Sequence, residues 1–188
     1  MTTPVRVAID LDGVLTEHPA PLARAANARY GMNLPDSAFI DSAGHNVTDE
    51  VRLWVYSPDG PASTLAALDD ALDFLRDLTT LCGPENVFII TARPASSAEM
   101  TLAWLRRNGL DICEVVYADD KVEAARKLNV THAVEDSVRH ATAYDQAGII
   151  AHFIAPEPLG GLPDSIHQVP SLPAVIERLR QEIAEGQT

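Results

Sequence analysis

Two aspartates separated by one residue follow an apolar stretch near the start of the sequence. The β-branched run from Val5 to Ile9 predicts a buried strand, and Asp10, Asp12 and then Gly13 come directly after it. In an open α/β sheet, ligands bind outside the carboxyl ends of the strands. The pair is therefore expected at the mouth of a site, where a bend at Gly13 lets the two carboxylates serve one reacting atom in different roles. Taken alone, the same residues also fit a polar turn after a strand.

Polar side chains also end the next three predicted strands. They are Thr91, which ends strand 86–91; Asp119, Asp120 and Lys121, which follow strand 112–117; and Glu135, which ends strand 131–135, with Asp136 next. Because parallel strands end at one edge of a sheet, these groups are expected to meet there. Crowded carboxylates repel one another unless a cation lies between them. Hard oxygen ligands suit Mg²⁺, which keeps bound waters and accepts phosphate as a further ligand.

The rest of the chain alternates between short apolar runs and amphipathic helices. The further elements predicted are helices 19–30, 65–81, 96–108, 121–128, 137–148 and 172–185 and a fifth strand over 149–154. This alternation predicts the α/β class, with a parallel five-stranded sheet and right-handed crossovers. The Pro-rich stretch 156–173 is interpreted as a surface loop.

A small helical segment interrupts the pattern after the first strand. Residues 17–62 contain helix 19–30 and a possible helix beginning at Thr48, and the breaker cluster 57–61 closes the segment. The chain would then comprise a core domain of residues 1–16 and 63–188 and a cap of residues 17–62. A length of 188 residues suffices for one core domain with an insertion and is short for two independent domains.

Composition limits the classes of partner and compartment. The formal net charge of −13 is spread along the chain, which disfavours nucleic acid and membrane surfaces as partners. Cys82 and Cys113 have no C-x-x-C spacing and are interpreted as small buried hydrophobic residues. The sequence shows no signal-peptide pattern and no apolar run near 18 residues, so a cytoplasmic protein is expected.

The order of the motifs resembles that of the haloacid-dehalogenase-like (HAD) phosphohydrolase superfamily. Asp10-Leu-Asp12-Gly-Val is similar to its first motif, and a Thr strand end, a lysine and an acidic pair follow in the same order across residues 5–154. Each later motif is weak by itself, whereas four at the ends of four successive strands rarely arise by accident. The resemblance implies a three-layer, Rossmann-like core with a cap inserted after strand 1.

The resemblance implies a two-step phosphoryl transfer. Asp10 would attack phosphorus and form an aspartyl phosphate, and Asp12 would protonate the leaving alkoxide and then deprotonate water. Thr91 would donate a hydrogen bond to a phosphoryl oxygen, and Lys121 would hold charge on Asp10 and on the phosphoryl group. Aspartate at position 12 favours phosphatase or phosphomutase chemistry over the ATPase and dehalogenase branches.

The resemblance also implies which residues bind metal and substrate. The Mg²⁺ ligands would be Asp10, the backbone carbonyl of Asp12, and Asp136, with Glu135 direct or through water. The order Glu-Asp leaves open which of the last two touches the metal. The substrate-binding residues would be Leu11, Thr91, Ala92 and Arg93. Arg93 would reach the substrate phosphate or sugar, or else lie exposed at a helix start.

The predicted activity is Mg²⁺-dependent hydrolysis of a small phosphomonoester. The stretches 88–94 and 101–105 look similar to 5′(3′)-deoxyribonucleotidase-like proteins, so a nucleoside monophosphate is the first expectation and a sugar phosphate the second. A polynucleotide 3′-phosphatase, which the negative charge disfavours, and a phosphomutase are alternatives on the same fold. A non-catalytic binding scaffold and a receiver-type signalling module are alternatives of another class; the motif order and the length disfavour the receiver.

Other residues carry weaker signals. His18, His45 and Trp54 lie in or beside the insertion and either line the substrate pocket or lie at the surface. Trp104 is expected in the core. The remaining histidines show no metal-ligand spacing, so no zinc site is expected; they are His132, His140, His152 and His167. The small cap leaves room for a neighbouring subunit to help cover the site, so a homodimer is possible.

Overall fold

The centre of the molecule is a parallel β-sheet. The computed structural model describes residues 4–17, 19–40 and 47–185. The strands are β1 (Val7–Ile9), β2 (Val87–Thr91), β3 (Glu114–Tyr117), β4 (His132–Glu135), β5 (Ile150–Ile154) and β6 (His167–Val169). Their order across the sheet is β3-β2-β1-β4-β5-β6, and every pairing is parallel. The strand order reverses between β1 and β4, the position at which open α/β sheets form a ligand crevice.

Helices cover both faces of this sheet. After β1 come α1 (Ala20–Tyr30) and α2 (Asp49–Val55), which pack apart from the sheet cores. The helices on the two faces are α3 (Ala71–Cys82), α4 (Ala98–Arg107), α5 (Lys121–Lys127), α6 (Val138–Gln146) and α7 (Leu172–Glu185). Val7 and Ile9 pack with α3, α4 and α7, whereas Ala8 packs with α5 and α6 on the other face. Successive residues of β1 enter different cores because strand side chains alternate between faces. The α/β, Rossmann-like class predicted from the sequence is confirmed.

The sheet has six strands, so the prediction of five was wrong. The sixth strand, β6, lies within the stretch 156–173 that was interpreted as a surface loop. It pairs in parallel with β5, and the N–H of Ala155 donates to the carbonyl of Val169 at 2.9 Å. Two of the three residues of β6, His167 and Gln168, are polar. The strand therefore lacks the apolar run that marks a strand in sequence, and its pairing partner defines it.

Helix α3 begins at Ala71, six residues later than the sequence pattern predicts. The N–H of Leu68 donates to the carbonyl of Leu15 at 3.0 Å, so the segment before α3 pairs with the chain that leaves β1. An amide used in this way cannot donate within a helix. The apolar spacing of 65–70 reflects this packing rather than a helical turn.

Residues 17–62 lie within the chain segment that joins β1 to α3, and they are called the insertion below. Its helices α1 and α2 pack around Phe39 and Tyr56 in an apolar cluster separate from the two sheet cores. Ala92, just after β2, and Met100 of α4 complete that cluster. The insertion therefore rests on the carboxyl end of β2.

Among the helices of the described ranges, none has both the length and the apolar composition needed to cross a bilayer. The longest, α7, has 14 residues and carries several charged side chains.

Candidate active site

The carboxyl ends of β1 and β4 bring four carboxylates to the central crevice. Asp10 and Asp12 follow β1, Glu135 ends β4, and Asp136 comes next. The N–H of Asp10 donates to the carbonyl of Val134 at 3.0 Å, so strand pairing fixes where the first carboxylate leaves the sheet. Asp10, Asp12 and Glu135 are all less than 10 % exposed. Like charges thus lie close together where water screens them poorly.

Lys121 links two of these carboxylates. Its Nζ lies 2.7 Å from Asp10 Oδ1 and donates to Glu135 Oε1 at 3.0 Å. Burial disfavours the charge on Lys121, but Asp10 and Glu135 outweigh burial and raise its pKa. The side chain of Asp120 accepts the N–H of Glu123 and so caps α5. This cap fixes the first turn of the helix, from which Lys121 projects.

Burial and neighbouring charge shift the pKa values of the carboxylates in different directions. Burial, with repulsion from Glu135, raises the pKa of Asp10 to about 7 despite its contact with Lys121. Burial and then repulsion from Asp10 raise the pKa of Asp136 well above its usual range. Burial also opposes ionisation of Glu135, but Lys121 and His140 outweigh it and lower that pKa. Glu135 therefore pairs with the lysine, whereas Asp10 and Asp136 lack sufficient positive charge.

Gly13 makes room for Asp136. Its φ of +86° lies in the left-handed region, and a Cβ built on it would lie 1.9 Å from Asp136 Oδ2. Asp136 Oδ1 is buried and has no hydrogen-bond partner among the described residues. A buried carboxylate oxygen without a partner is unfavourable unless a cation or water supplies one.

Asp12 is held by a buried arginine. Arg93 Nε donates to Asp12 Oδ2 at 2.9 Å, its Nη2 donates to Oδ1, and Arg93 is only 1 % exposed. Burial opposes the charge on Arg93, but Asp12 outweighs burial and raises the pKa of the guanidinium. The sequence predicted a substrate contact or an exposed residue at a helix start. The exposed alternative was wrong, and the structure directs two donors of Arg93 at Asp12.

The other predicted substrate-binding residues lie around the same point. Thr91 is buried and its Oγ1 accepts the N–H of Arg93 at 3.2 Å. The N–H of Leu11 donates to Asp10 Oδ1 at 2.7 Å, while the side chain of Leu11 packs in the sheet core. The contacts of Leu11 and Lys121 both use Oδ1 of Asp10, so neither of them engages Oδ2.

The insertion covers the end of the sheet. Two of its residues, together with core residues, line a space of about 10 Å³ over the aspartates, which is room for about one water. The lining residues are Phe39 and Ile40 of the insertion and Asp10, Asp12, Thr91, Ala92, Lys121 and His140 of the core. Arg52 of α2 ties the insertion down, since its Nη2 donates to the carbonyl of Ala92 at 2.9 Å and to Asp119 Oδ1 at 3.1 Å.

A larger cleft opens beside this space. Its volume is about 430 Å³, and Lys121 and His140 line both the cleft and the small space over the aspartates. Arg139 and Tyr144 are further lining residues of the cleft. A group bound there would lie next to Lys121, in a cleft that Arg139, Asp119 and Asp120 also line.

The donor set fits a hard divalent cation. Asp10, Glu135 and His140 each offer one potential ligand atom, and these atoms lie within 4.8 Å of one another. The buried Oδ1 of Asp136 and the buried Oε2 of Glu135 both lack a hydrogen-bond partner in the described part of the chain. Carboxylate oxygens at one sheet edge are the ligands that Mg²⁺ takes in proteins.

Three features of the site were missed in the sequence. His140 Nδ1 lies 3.7 Å from Glu135 Oε2 because α6 packs beside the end of β4, and no spacing motif marks that histidine. The covering residues Phe39 and Ile40 come from a stretch without periodicity. The Arg93–Asp12 pair joins residues 81 positions apart, and only the pairing of β1 with β2 brings them together.

The remaining aromatic and histidine predictions have mixed outcomes. Trp104 is buried in the sheet core, as predicted. Trp54 packs within the insertion, edge-on to Tyr30 at 5.5 Å and beneath the guanidinium of Arg29 at 4.6 Å. His18 and His45 lie outside the described residues.

Comparison with known proteins identifies the fold. Neither a protein-family profile nor a curated protein sequence matches this chain. Solved structures do match. A hydrolase from Pseudomonas syringae aligns with a TM-score of 0.67 at 17% identity, over 94% of this chain and 98% of that chain.

Two further structures align over nearly the whole of both chains. A HAD family hydrolase from Deinococcus radiodurans R1 with bound phosphate and sodium has a TM-score of 0.58 at 19% identity, over 98% of this chain and 97% of that one. The HAD-hydrolase YfnB from Bacillus subtilis, bound to magnesium, has a TM-score of 0.62 at 13% identity, over 94% and 99%. The chain therefore has the fold of the HAD-superfamily hydrolases, as the motif order predicted.

The space above Gly13 yields a stability prediction. Gly13→Ala should destabilise the protein more than Gly31→Ala does. Both glycines have positive φ, but a Cβ at Gly31 meets nothing within 4 Å whereas one at Gly13 collides with Asp136. Gly31→Ala should cost about 1–2 kcal/mol for the backbone conformation, and Gly13→Ala roughly a further 1–3 kcal/mol for the collision. Urea unfolding measures both values, and equal losses would contradict the placement of Asp136.

The raised pKa of Asp10 predicts a pH dependence in chelator. The folded state holds a proton on Asp10 up to about pH 7, while the unfolded chain releases it near 3.8. Asp10 therefore destabilises the metal-free protein progressively as the pH rises between these values. The stability of Asp10→Asn relative to wild type should rise over that range, by up to about 1.4 kcal/mol per pH unit, and level off above it. Urea unfolding across this pH range measures the difference; a flat difference would contradict the shift.

Proposed function

We propose that this protein is a divalent-cation-dependent phosphatase that hydrolyses a small phosphomonoester through a phosphorylated Asp10. The observation that carries the proposal is the contact of Asp10 and Glu135 with one lysine beside Asp136, whose buried Oδ1 has no hydrogen-bond partner among the described residues; the pKa values of both aspartates are raised. Such a site is completed by a cation and an anionic group. A phosphoryl group with a metal ion meets both requirements, because its oxygens bind the cation and its charge faces Lys121.

Asp10 would be the nucleophile. Lys121 and the N–H of Leu11 both contact Oδ1 of Asp10 and so orient the carboxylate. The other oxygen, Oδ2, would attack phosphorus. A bond forms from Asp10 Oδ2 to phosphorus as the bond from phosphorus to the ester oxygen breaks. Water then attacks the phosphorus of the aspartyl phosphate, and the bond to Asp10 breaks to release phosphate.

Asp12 would move the protons of both steps. It would protonate the departing alkoxide in the first step and take a proton from the attacking water in the second. Arg93 is the residue that positions it, since two guanidinium donors fix the plane of the Asp12 carboxylate. Thr91 would donate its hydroxyl proton to a phosphoryl oxygen.

The cation would be Mg²⁺, held by Asp10, the backbone carbonyl of Asp12, and Asp136. When bound, it neutralises the phosphoryl charge that builds up in the transition state. Asp136 is proposed as the direct ligand because Glu135 already faces two basic side chains: its Oε1 accepts from Lys121, and its Oε2 lies 3.7 Å from His140 Nδ1. The structures from D. radiodurans, with phosphate, and B. subtilis, with magnesium, show these groups bound to proteins of the same fold.

The substrate would be small, with a nucleoside monophosphate as the first candidate and a sugar phosphate as the second. A cleft of about 430 Å³ beside Lys121 is of the size that small-molecule sites have. The insertion covers the aspartates and leaves room for about one water there, so it would act as a cap that opens to admit the phosphoryl group. The net charge of −13 disfavours a nucleic acid polymer.

Phosphate release tests the activity. The purified protein with Mg²⁺ should release phosphate from p-nitrophenyl phosphate and, faster, from at least one nucleoside monophosphate or sugar phosphate. Asp10→Asn should lower kcat by about 10³-fold or more, because it removes the nucleophile. Glu123→Gln, an exposed change on α5, serves as the matched control and should keep wild-type activity.

Three outcomes would redirect the proposal. Activity only on DNA 3′-phosphate ends would indicate a polynucleotide phosphatase, and phosphoryl transfer between two sugar hydroxyls would indicate a mutase. Full activity in Asp10→Asn would exclude the proposed nucleophile.

The assignment of the metal ligand has its own test. Asp136→Asn should raise the Mg²⁺ concentration needed for half-maximal activity by about 10- to 100-fold, in line with losses seen when groups around a metal are removed. Glu135→Gln should chiefly lower kcat, because it removes the charge partner of Lys121. Activity titrated against Mg²⁺ for both variants separates the two effects. The reverse pattern would make Glu135 the direct ligand.

A further inference from the structure

Three histidines and one glutamate meet under α7, away from the carboxylates of the crevice. The side chains of His132, His152 and His167, on three neighbouring strands, come together with Glu182 of α7. His132 opens β4, three residues before Glu135 ends it. The two residues lie about 10 Å apart along the strand and on opposite faces of the sheet. The cluster is therefore separate from the proposed active site.

The ring nitrogens of two histidines converge on one carboxylate oxygen. His132 Nε2 lies 3.4 Å from Glu182 Oε2, and His152 Nε2 lies 3.7 Å from the same atom. One potential ligand atom from each of these residues lies within 4.8 Å of the others. Ligands of a tetrahedral Zn²⁺ ion are about 3.3 Å apart, given Zn–N distances of about 2.0–2.1 Å. A small contraction of the cluster would thus place three ligands around one ion.

His152 packs its ring against the rings of His132 and His167, with centroids 5.8 and 5.4 Å apart. Its side chain is fully buried, and neither of its ring nitrogens has a hydrogen-bond partner among the described residues. Glu182 Oε2 is likewise buried without a hydrogen-bond partner there. Buried nitrogen and oxygen atoms that face one another without hydrogen-bond partners are suited to bind a cation.

A neighbouring hydroxyl group orients the ring of His132 toward Glu182. His132 Nδ1 lies 2.8 Å from Thr131 Oγ1, which fixes the ring with Nε2 toward Glu182. Histidines that bind metal usually engage their second nitrogen in this way.

The second oxygen of Glu182 is held separately. Arg178 Nε donates to Glu182 Oε1 at 2.7 Å, and His167 Nδ1 lies 2.9 Å from the same oxygen. Arg178 also donates to His167 Nε2 at 3.1 Å. Oε1 therefore anchors the carboxylate, which leaves Oε2 toward the two other histidines.

We propose that His132, His152 and Glu182 form a zinc site that ties α7 to the sheet, with His167 and Arg178 orienting the glutamate. Two imidazoles and one carboxylate are ligands that Zn²⁺ accepts, and water would take the fourth position. The ion joins β4 and β5 to the last helix, whose neighbour β6 is the edge strand of the sheet. The histidine spacing predicted no zinc site, because the two histidine ligands lie on separate strands and only sheet pairing brings them together.

Zinc binding to the full-length, chelator-treated protein tests the proposal. The titration uses ZnCl₂ in excess Mg²⁺, so that Mg²⁺ occupies the crevice carboxylates. One equivalent of zinc should bind per chain and raise the thermal unfolding midpoint. Glu182→Gln should weaken that binding at least about 10-fold, since even groups outside the ligand shell change metal affinity by about 10- to 100-fold. Glu177→Gln removes the same charge from an exposed position of α7 and should bind zinc as wild type does.

Two further measurements keep the result interpretable. The unfolding midpoint of Glu182→Gln in chelator shows whether the variant folds, and His132→Gln removes a second ligand if it does not. Co²⁺ in place of Zn²⁺ should give the visible absorption of a tetrahedral site in wild type and lose it in either variant.

The proposal is overturned if no stoichiometric zinc binds in excess Mg²⁺, or if Glu182→Gln binds it as tightly as wild type. It is also overturned if Asp136→Asn, rather than Glu182→Gln, abolishes zinc binding, because the ion would then lie in the crevice. Phosphatase activity does not enter this test, so its outcome is independent of the proposed function.

Discussion

Lys121 is surrounded by more carboxylate charge than it can neutralise, and the architecture of the crevice follows from that imbalance. Asp10 and Glu135 both contact its Nζ, while Asp136 lies close enough for Asp10 to raise its pKa. A folded protein keeps such a group of buried like charges only where the surrounding strands and hydrogen bonds hold them in place. The strain is relieved by protonation or by a cation. This is why the same residues that destabilise the metal-free fold are suited to bind an ion with a phosphoryl group.

The two aspartates after β1 differ because their neighbours differ. Asp10 contacts a lysine that it shares with Glu135, whereas Asp12 has the two donors of Arg93 to itself. The ammonium group of Lys121 contacts only Oδ1 of Asp10, whereas the planar guanidinium of Arg93 donates to both oxygens of Asp12. Asp10 therefore has one oxygen outside its contacts with Lys121 and Leu11, and Asp12 is held in a fixed plane, which is what the proposed two-step transfer requires of these two residues.

Most of the fold was predictable because the buried strands of the inner sheet have apolar runs. β1 and β2 are covered on both faces, and each reads as a hydrophobic stretch apart from Thr91 at the end of β2. The errors fall where pairing, rather than composition, defines the structure. The edge strand β6 is mostly polar, and the residues before α3 bond to the chain after β1 instead of continuing a helix. Both depend on partners distant in sequence, which local periodicity does not contain.

The sequence by itself determined the fold class and which residue types end each inner strand, because these follow from apolar periodicity and the common direction of parallel strands. Only the tertiary structure decided how those side chains pair. It paired Arg93 with Asp12, placed the carboxylate of Asp136 against Gly13, and gathered three histidines beneath α7. The physical reason is that charge and hydrogen-bond interactions act over a few ångströms, and those distances are set by strand register and helix packing rather than by position along the chain.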